Sequence, residues 1–161
     1  MRQRVNPEQV AAIRSRVQAA FGELRKVGFI TKTNFSCCMT CAVAELGDVA
    51  EKRRRNRAVY WHRQDEEHFR KGGVLSVRYC YLPPKGIDAR DTTQLETQIG
   101  EQVADALRKA GLNVKWDGDP GKTIEVVGFV SDEARTSPNH PDYSSKVFGD
   151  SRVLAERLFL A

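Results

Sequence analysis

An amphipathic segment near the start of the chain constrains the fold more than any other feature. Asn6 can cap a helix, Pro7 suits the first helical position, and Gly28 supplies a stop. Between them, apolar residues recur at helical spacing, at Val10, Ile13, Val17, Phe21, Leu24 and Val27. The spacing predicts a long helix with one buried face, so the rest of the chain must supply the surface that covers this face.

The segments that follow alternate between helix and strand patterns. We predict a connector over residues 29–35, a helix ending near residue 52, strands over 58–63 and 74–82, a helix over 93–110, and a hairpin of strands 112–116 and 122–130. Asp65 is expected to cap a short helical turn after the first of these strands. This mixture predicts an α+β fold with a roughly four-stranded, mostly antiparallel sheet covered by helices.

The length and composition of the chain fit a single compact domain. With 161 residues and 40% hydrophobic content, it can bury a core without disulfides. We assign residues 1–130 to one α+β domain. Residues 131–161 are expected to form a loop and a short C-terminal helix that docks on the domain or on a partner. If the partner is a second copy of the chain, the result is a homodimer. No long apolar run and no signal-peptide pattern is present, so we predict a cytoplasmic protein without membrane contact.

Three of the four cysteines fall within five positions, at Cys37, Cys38 and Cys41. If Ser36 or Asn34 caps the following helix, the sulfurs lie in its first turns, where free N–H groups and the helix dipole favour a thiolate. The cluster therefore predicts a metal-binding or thiol-reactive pocket. The simpler alternative is that small cysteine side chains only pack at the start of the helix.

Cys38 and Cys41 have the two-residue separation of many zinc-ligand pairs. A second such pair is missing, so further ligands must come from Cys37, Glu45, His62, His68 or Cys80. As metal ligands we predict Cys37, Cys38, Cys41 and His62, with zinc as the expected ion. If the pocket is catalytic, the candidates are Cys38, Cys41, His62 and Asp65.

Two other kinds of site are excluded by spacing. An iron–sulfur cluster would need the distant Cys80 and lacks the ferredoxin spacing. The segment from Gly118 to Thr123 contains Gly-Lys-Thr, but it lacks the upstream glycine of a phosphate-binding loop and lies in a predicted hairpin. We therefore do not expect a nucleotide triphosphatase.

A basic run follows the cysteine-containing helix and supports a competing hypothesis. Clustered arginines can bind phosphates, so the chain could be a non-enzymatic binding module for nucleic acid or a protein partner, with packed cysteines. The contacts would come from Arg53, Arg54 and Arg55. No aromatic residues interleave this run to stack bases, and cations at a helix C-terminus also complement its dipole. A solvated helix end is thus the simpler interpretation.

Three sequence blocks stand in order along the chain. Asn34–Ala42 contains Cys-Cys-x-x-Cys, Tyr60–Asp65 contains His-x-Gln-Asp, and Gly111–Gly118 contains Trp-Asp-Gly. Together they resemble an uncharacterised bacterial domain family of unknown function, over about residues 9–130. The resemblance implies no activity, but it implies one site that contains Cys37, Cys38, Cys41, His62, Gln64 and Asp65.

Overall fold

Four helices and five strands form the part of the chain that the computed structural model describes, residues 6–84, 86 and 91–128. In chain order they are α1 (Pro7–Lys26), β1 (Phe29–Lys32), α2 (Met39–Arg53), β2 (Arg57–Tyr60), α3 (Arg63–Gly72), β3 (Val74–Tyr81), α4 (Thr93–Lys109), β4 (Val114–Lys115) and β5 (Ile124–Val127). The predicted α+β class is confirmed, with five strands where about four were expected. The segment predicted as a loop and C-terminal helix, 131–161, lies outside the described residues.

The five strands form one open sheet in the order β1-β2-β3-β5-β4. β1 and β2 are parallel and α2 connects them, whereas the other three pairs are antiparallel. The predicted connector over 29–35 is therefore wrong in its first half. Phe29 and Ile30 are fully buried, and pairing with β2 supplies the backbone hydrogen bonds that burial requires.

Helices cover both faces of the sheet. The larger core lies against α1, α3 and α4 and contains Phe29 and Val59, while the smaller core lies beneath α2 and contains Ile30 and Tyr60. Successive residues of a strand point to opposite faces, which explains why neighbours belong to different cores. Cys80, on β3, packs against the smaller core.

Gly100 on α4 allows a close approach of two aromatic rings. A Cβ atom at this position would lie 2.6 Å from Cζ2 of Trp116 and 3.0 Å from Cε2 of Tyr79. We expect Gly100→Ala to lower the free energy of unfolding by about 1–3 kcal/mol, because overpacking outweighs the gain in helix propensity.

Gly47 on α2 provides the matched control for this substitution. Apart from its chain neighbours and the backbone of α2 itself, no atom of the described residues lies within 4 Å of the position that its Cβ would take. Gly47→Ala is therefore expected to stabilise the protein by up to about 1 kcal/mol. Urea unfolding of both variants measures the difference, and equal effects would show that the rings do not limit the space at Gly100.

Candidate metal centre

The turn that leads into α2 differs from the prediction. α2 begins at Met39, and Cys38 is its N-cap residue with an extended backbone. The predicted caps, Asn34 and Ser36, are not caps: they lie before the helix with φ values of 46° and 60°. Two left-handed residues therefore bend the chain immediately before the cysteines.

Backbone hydrogen bonds fix this turn to the segment between β2 and α3. The N–H of Phe35 donates to the carbonyl of Trp61 at 2.9 Å, and the N–H of Arg63 donates to the carbonyl of Ser36 at 3.2 Å. Phe35 also packs against the smaller core. The position of the cysteines thus depends on the segment that precedes α3.

The three clustered cysteines converge in space. The sulfur atoms of Cys37, Cys38 and Cys41 all lie within 4.8 Å of one another, and those of Cys37 and Cys38 are 3.8 Å apart. Cys37 and Cys41 are exposed and Cys38 is half-buried. Within the described ranges, no other group of three or more Cys, His, Asp or Glu side chains meets this distance limit. The sulfurs lie close enough to bind a metal ion together.

The thiols of Cys38 and Cys41 differ in how easily they ionise. The amide N–H of Cys41 faces the Cys38 sulfur without the geometry of a full capping hydrogen bond, and it lowers the pKa of Cys38. Hydrogen bonds to the sulfurs of Cys37 and Cys38 raise the pKa of Cys41 to about 11. A metal ion must therefore displace a firmly held proton from Cys41.

His62 and Asp65 form a reciprocal cap at the start of α3. The amide of Asp65 donates to Nδ1 of His62 at 3.3 Å, and the amide of His62 donates to Oδ2 of Asp65 at 3.1 Å. His62, not Asp65 as predicted, is the N-cap residue. Its side chain is 3% exposed, and it does not belong to the group of sulfurs within 4.8 Å.

Arg78 connects this cap to the start of α2. Its Nε and Nη2 donate to the two carboxylate oxygens of Asp65 at 2.8 and 3.0 Å, and its Nη1 lies 3.7 Å from the sulfur of Met39. The hydrogen bond to Asp65 raises the pKa of Arg78. Arg78, which is not among the site residues predicted from the sequence, thus joins the α3 cap to the first residue of α2.

Glu66 has a structural role next to this cap. It is buried, its Oε2 accepts a hydrogen bond from the indole N–H of Trp61 at 2.9 Å, and its Oε1 forms an ion pair with Arg14. Trp61 in turn packs against Phe21 with ring centroids 5.4 Å apart. The carboxylates of Asp65 and Glu66 thus hold α3 against the rest of the fold.

The remaining predicted ligands stay outside the sulfur group. Glu45 accepts a hydrogen bond from the Ser36 hydroxyl at 3.3 Å, and His68 and Gln64 are exposed on α3. Burial in the smaller core raises the pKa of Cys80 to about 12. The described residues therefore supply three close sulfurs, without a fourth ligand in that group.

The buried position of His62 predicts a pH effect on stability. Burial lowers the pKa of His62, and Arg78 and His68 act in the same direction, although Asp65 opposes them. A lowered pKa in the folded state means that His62 contributes stability above its unfolded pKa, near 6.5, and that this stability is lost as the pH falls.

His62→Asn keeps a capping side chain but removes the titrating ring. Between pH 7 and pH 5, the urea midpoint of the wild type is expected to fall more than that of this variant. Parallel pH profiles would show that the ring does not titrate in this range.

Part of the basic run is occupied by contacts within the fold. Arg55 donates to the carbonyl of Phe29 at 3.0 Å, and the guanidinium of Arg57 lies 4.6 Å from the centre of the Phe29 ring. Arg54 is the C-cap residue of α2, and both Arg53 and Arg54 are exposed. Two residues of the predicted partner-binding set thus remain at the surface.

Fold and site together define a small α+β domain with a group of three close cysteine sulfurs, in which Cys37 and Cys41 are exposed. A family model described as Domain of unknown function (DUF6891) matches residues 7–130, and the chain belongs to this family. The resemblance to an uncharacterised domain family is thereby confirmed. Comparisons with curated proteins and with solved structures gave no match. Each helix in the described ranges is too short or too polar to cross a membrane.

Proposed function

We propose that the protein binds a zinc ion through the thiolates of Cys37, Cys38 and Cys41. The observation that supports this most directly is the convergence of their sulfurs within 4.8 Å. Zinc binds thiolates tetrahedrally at about 2.3 Å, so two sulfurs on one ion lie about 3.8 Å apart. The sulfurs of Cys37 and Cys38 are separated by 3.8 Å. This pair therefore needs little rearrangement to bind.

The rigidity of the turn also favours metal binding. Its preceding residues, Phe35 and Ser36, are held by backbone hydrogen bonds, and Cys41 lies in the first turn of α2. The amide of Ala42 donates to the carbonyl of Cys38 at 3.0 Å and closes that turn. Ligands that are already positioned lose less conformational entropy on binding. Soft thiolates select zinc or copper(I) over magnesium and calcium.

The fourth zinc ligand is proposed to be His62 or a solvent molecule. Nδ1 of His62 accepts a hydrogen bond from Asp65, so only Nε2 is free to bind a metal. Nε2 is outside the present group of sulfurs, and the turn would have to move for His62 to complete the site. The same His62→Asn variant tests this, because it keeps the cap and removes Nε2.

Elemental analysis of protein purified under reducing conditions and reconstituted with zinc tests the proposal. About one zinc per chain is expected in the wild type and in Cys80→Ala, whose sulfur lies outside the cluster. The double variant Cys38→Ser/Cys41→Ser is expected to lose the zinc. A wild type without zinc, or a double variant that keeps it, would refute the proposal. Loss from Cys80→Ala would point to a different ligand set.

A thiol-reactive pocket has less support. Cys38 has the lowered pKa that a nucleophile needs, and it remains the best candidate for that role. His62, the catalytic candidate that could act as a base, is buried, and its Nδ1 accepts the hydrogen bond from the Asp65 amide that caps α3. The catalytic roles of Cys38, Cys41, His62 and Asp65 therefore stay predictions.

The hypothesis of an anionic or protein partner also stays a prediction. It is supported by the exposure of Arg53 and Arg54 and weakened by the use of Arg55 in a contact with Phe29. Homodimer formation through the C-terminal segment, 131–161, concerns residues outside the described ranges. The predicted cytoplasmic location likewise remains a prediction.

A further inference from the structure

We propose that the same site captures trivalent arsenic, supplied as arsenous acid, in a complex that uses all three thiolates. This inference rests on the ligand set of the proposed function, Cys37, Cys38 and Cys41, but it does not require that zinc binds. It is supported by the number of sulfurs that converge, by their exposure, and by the way the turn is held.

The number of donors matches the coordination of trivalent arsenic. Arsenic(III) forms three single bonds and keeps a lone pair in the fourth position, so three thiolates complete its coordination. Structural zinc sites almost always have four protein ligands. Within the described ranges, the close group contains three sulfurs and no histidine or carboxylate. It is thus a complete donor set for arsenic(III) and one ligand short for a closed zinc site.

The sulfurs are both accessible and pre-positioned. Cys37 and Cys41 are exposed, so a small uncharged oxyacid can reach them without opening the fold. Adjacent residues, Cys37 and Cys38, bring two sulfurs to 3.8 Å, and the first turn of α2 adds the third. The hydrogen bonds from Phe35 to Trp61 and from Arg63 to Ser36 restrain the turn. Three-point binding therefore costs less entropy than it would on an unrestrained chain.

The reaction balances without any oxidant or reductant. Three arsenic–oxygen bonds of As(OH)3 break and three arsenic–sulfur bonds form. Each hydroxyl leaves with the proton of one thiol, so three water molecules are released and arsenic stays trivalent. The resulting trithiolate is uncharged, whereas a zinc ion with three thiolates carries a negative charge.

The test is to mix the reduced full chain with arsenous acid and to record its intact mass and its remaining free thiols. With four cysteines in the chain, we expect one bound arsenic and one free thiol in the wild type. In Cys80→Ala we expect one arsenic and no free thiol. Cys37→Ser is expected to form only a two-thiol adduct that keeps a hydroxyl on arsenic, with a lower affinity than the wild type.

No arsenic adduct, a wild-type adduct on only two thiols, or equal affinities of the wild type and Cys37→Ser would overturn the inference. Circular dichroism of Cys37→Ser verifies that this exposed substitution leaves the helices intact. Zinc content measured on separate samples of each preparation, reconstituted with zinc and never exposed to arsenous acid, separates the two proposals. Zinc without a three-thiol arsenic adduct overturns only the arsenic inference, whereas the adduct without zinc overturns only the proposed function.

Discussion

Asp65→Ala is expected to lower the free energy of unfolding by about 3 kcal/mol. The Asp65 side chain is 3% exposed, and its carboxylate accepts hydrogen bonds from the His62 amide and from two nitrogens of Arg78. Breaking a buried ion pair from one side costs about 3–5 kcal/mol, because the other charge stays behind without a partner. The Arg78 side chain is 23% exposed, so the expected value lies at the lower end.

The control for this substitution is Asp65→Asn. The amide side chain keeps an oxygen that can accept the His62 N–H, but it loses the charge that pairs with Arg78. Urea unfolding is expected to show a loss about half as large as that of Asp65→Ala. An Asp65→Ala protein within about 1 kcal/mol of the wild type would mean that this ion pair contributes little to the fold.

Asp65→Ala is also expected to weaken zinc binding, although it removes no sulfur atom. Asp65 holds the start of α3, and Arg63 and Trp61 in this region bond to the turn that carries the cysteines. Loss of a partner that orients metal ligands typically costs about 10–100-fold in affinity. A zinc affinity unchanged in folded Asp65→Ala would show that the turn is positioned independently of α3.

Zinc is expected to stabilise the folded chain by up to about 2.7 kcal/mol at a free concentration one hundred times its Kd. The full value requires that the unfolded chain does not bind. Because Cys37, Cys38 and Cys41 lie within five positions, the unfolded chain keeps some affinity and reduces the gain. Thermal unfolding with and without zinc measures this shift.

Cys41→Ser is the matched control for the zinc effect. This substitution removes one exposed sulfur and leaves the core intact. The unfolding temperature of the variant without zinc is therefore expected to be close to that of the wild type. Zinc should shift this variant much less than the wild type. Equal shifts would place the stabilising ion somewhere other than the cysteine cluster.

Local sequence signals predicted the fold where one segment carried them completely. α1 has a cap, a proline at its first position and apolar residues at helical spacing, and the structure confirms the helix. β1 was missed because four residues, with Phe29 and Ile30 buried on opposite faces, show no polar–apolar alternation. This one omission explains why four strands were predicted where the sheet has five.

The site was predictable only where its residues are neighbours in the sequence. The proximity of Cys37, Cys38 and Cys41 follows from their spacing at a helix start. The position of His62 depends on which residue caps α3, and sequence preferences favour Asp over His at an N-cap. Arg78 stands 13 residues from Asp65, on another element, so only the folded chain reveals the pair.

X-ray absorption spectroscopy at the zinc edge tests most directly whether the three clustered sulfurs bind one ion. Three sulfur neighbours at about 2.3 Å and one lighter neighbour are predicted for the wild type and for Cys80→Ala, with one sulfur fewer in Cys37→Ser. A wild-type spectrum with two or fewer sulfur neighbours, or one that Cys37→Ser leaves unchanged, would contradict the proposed site.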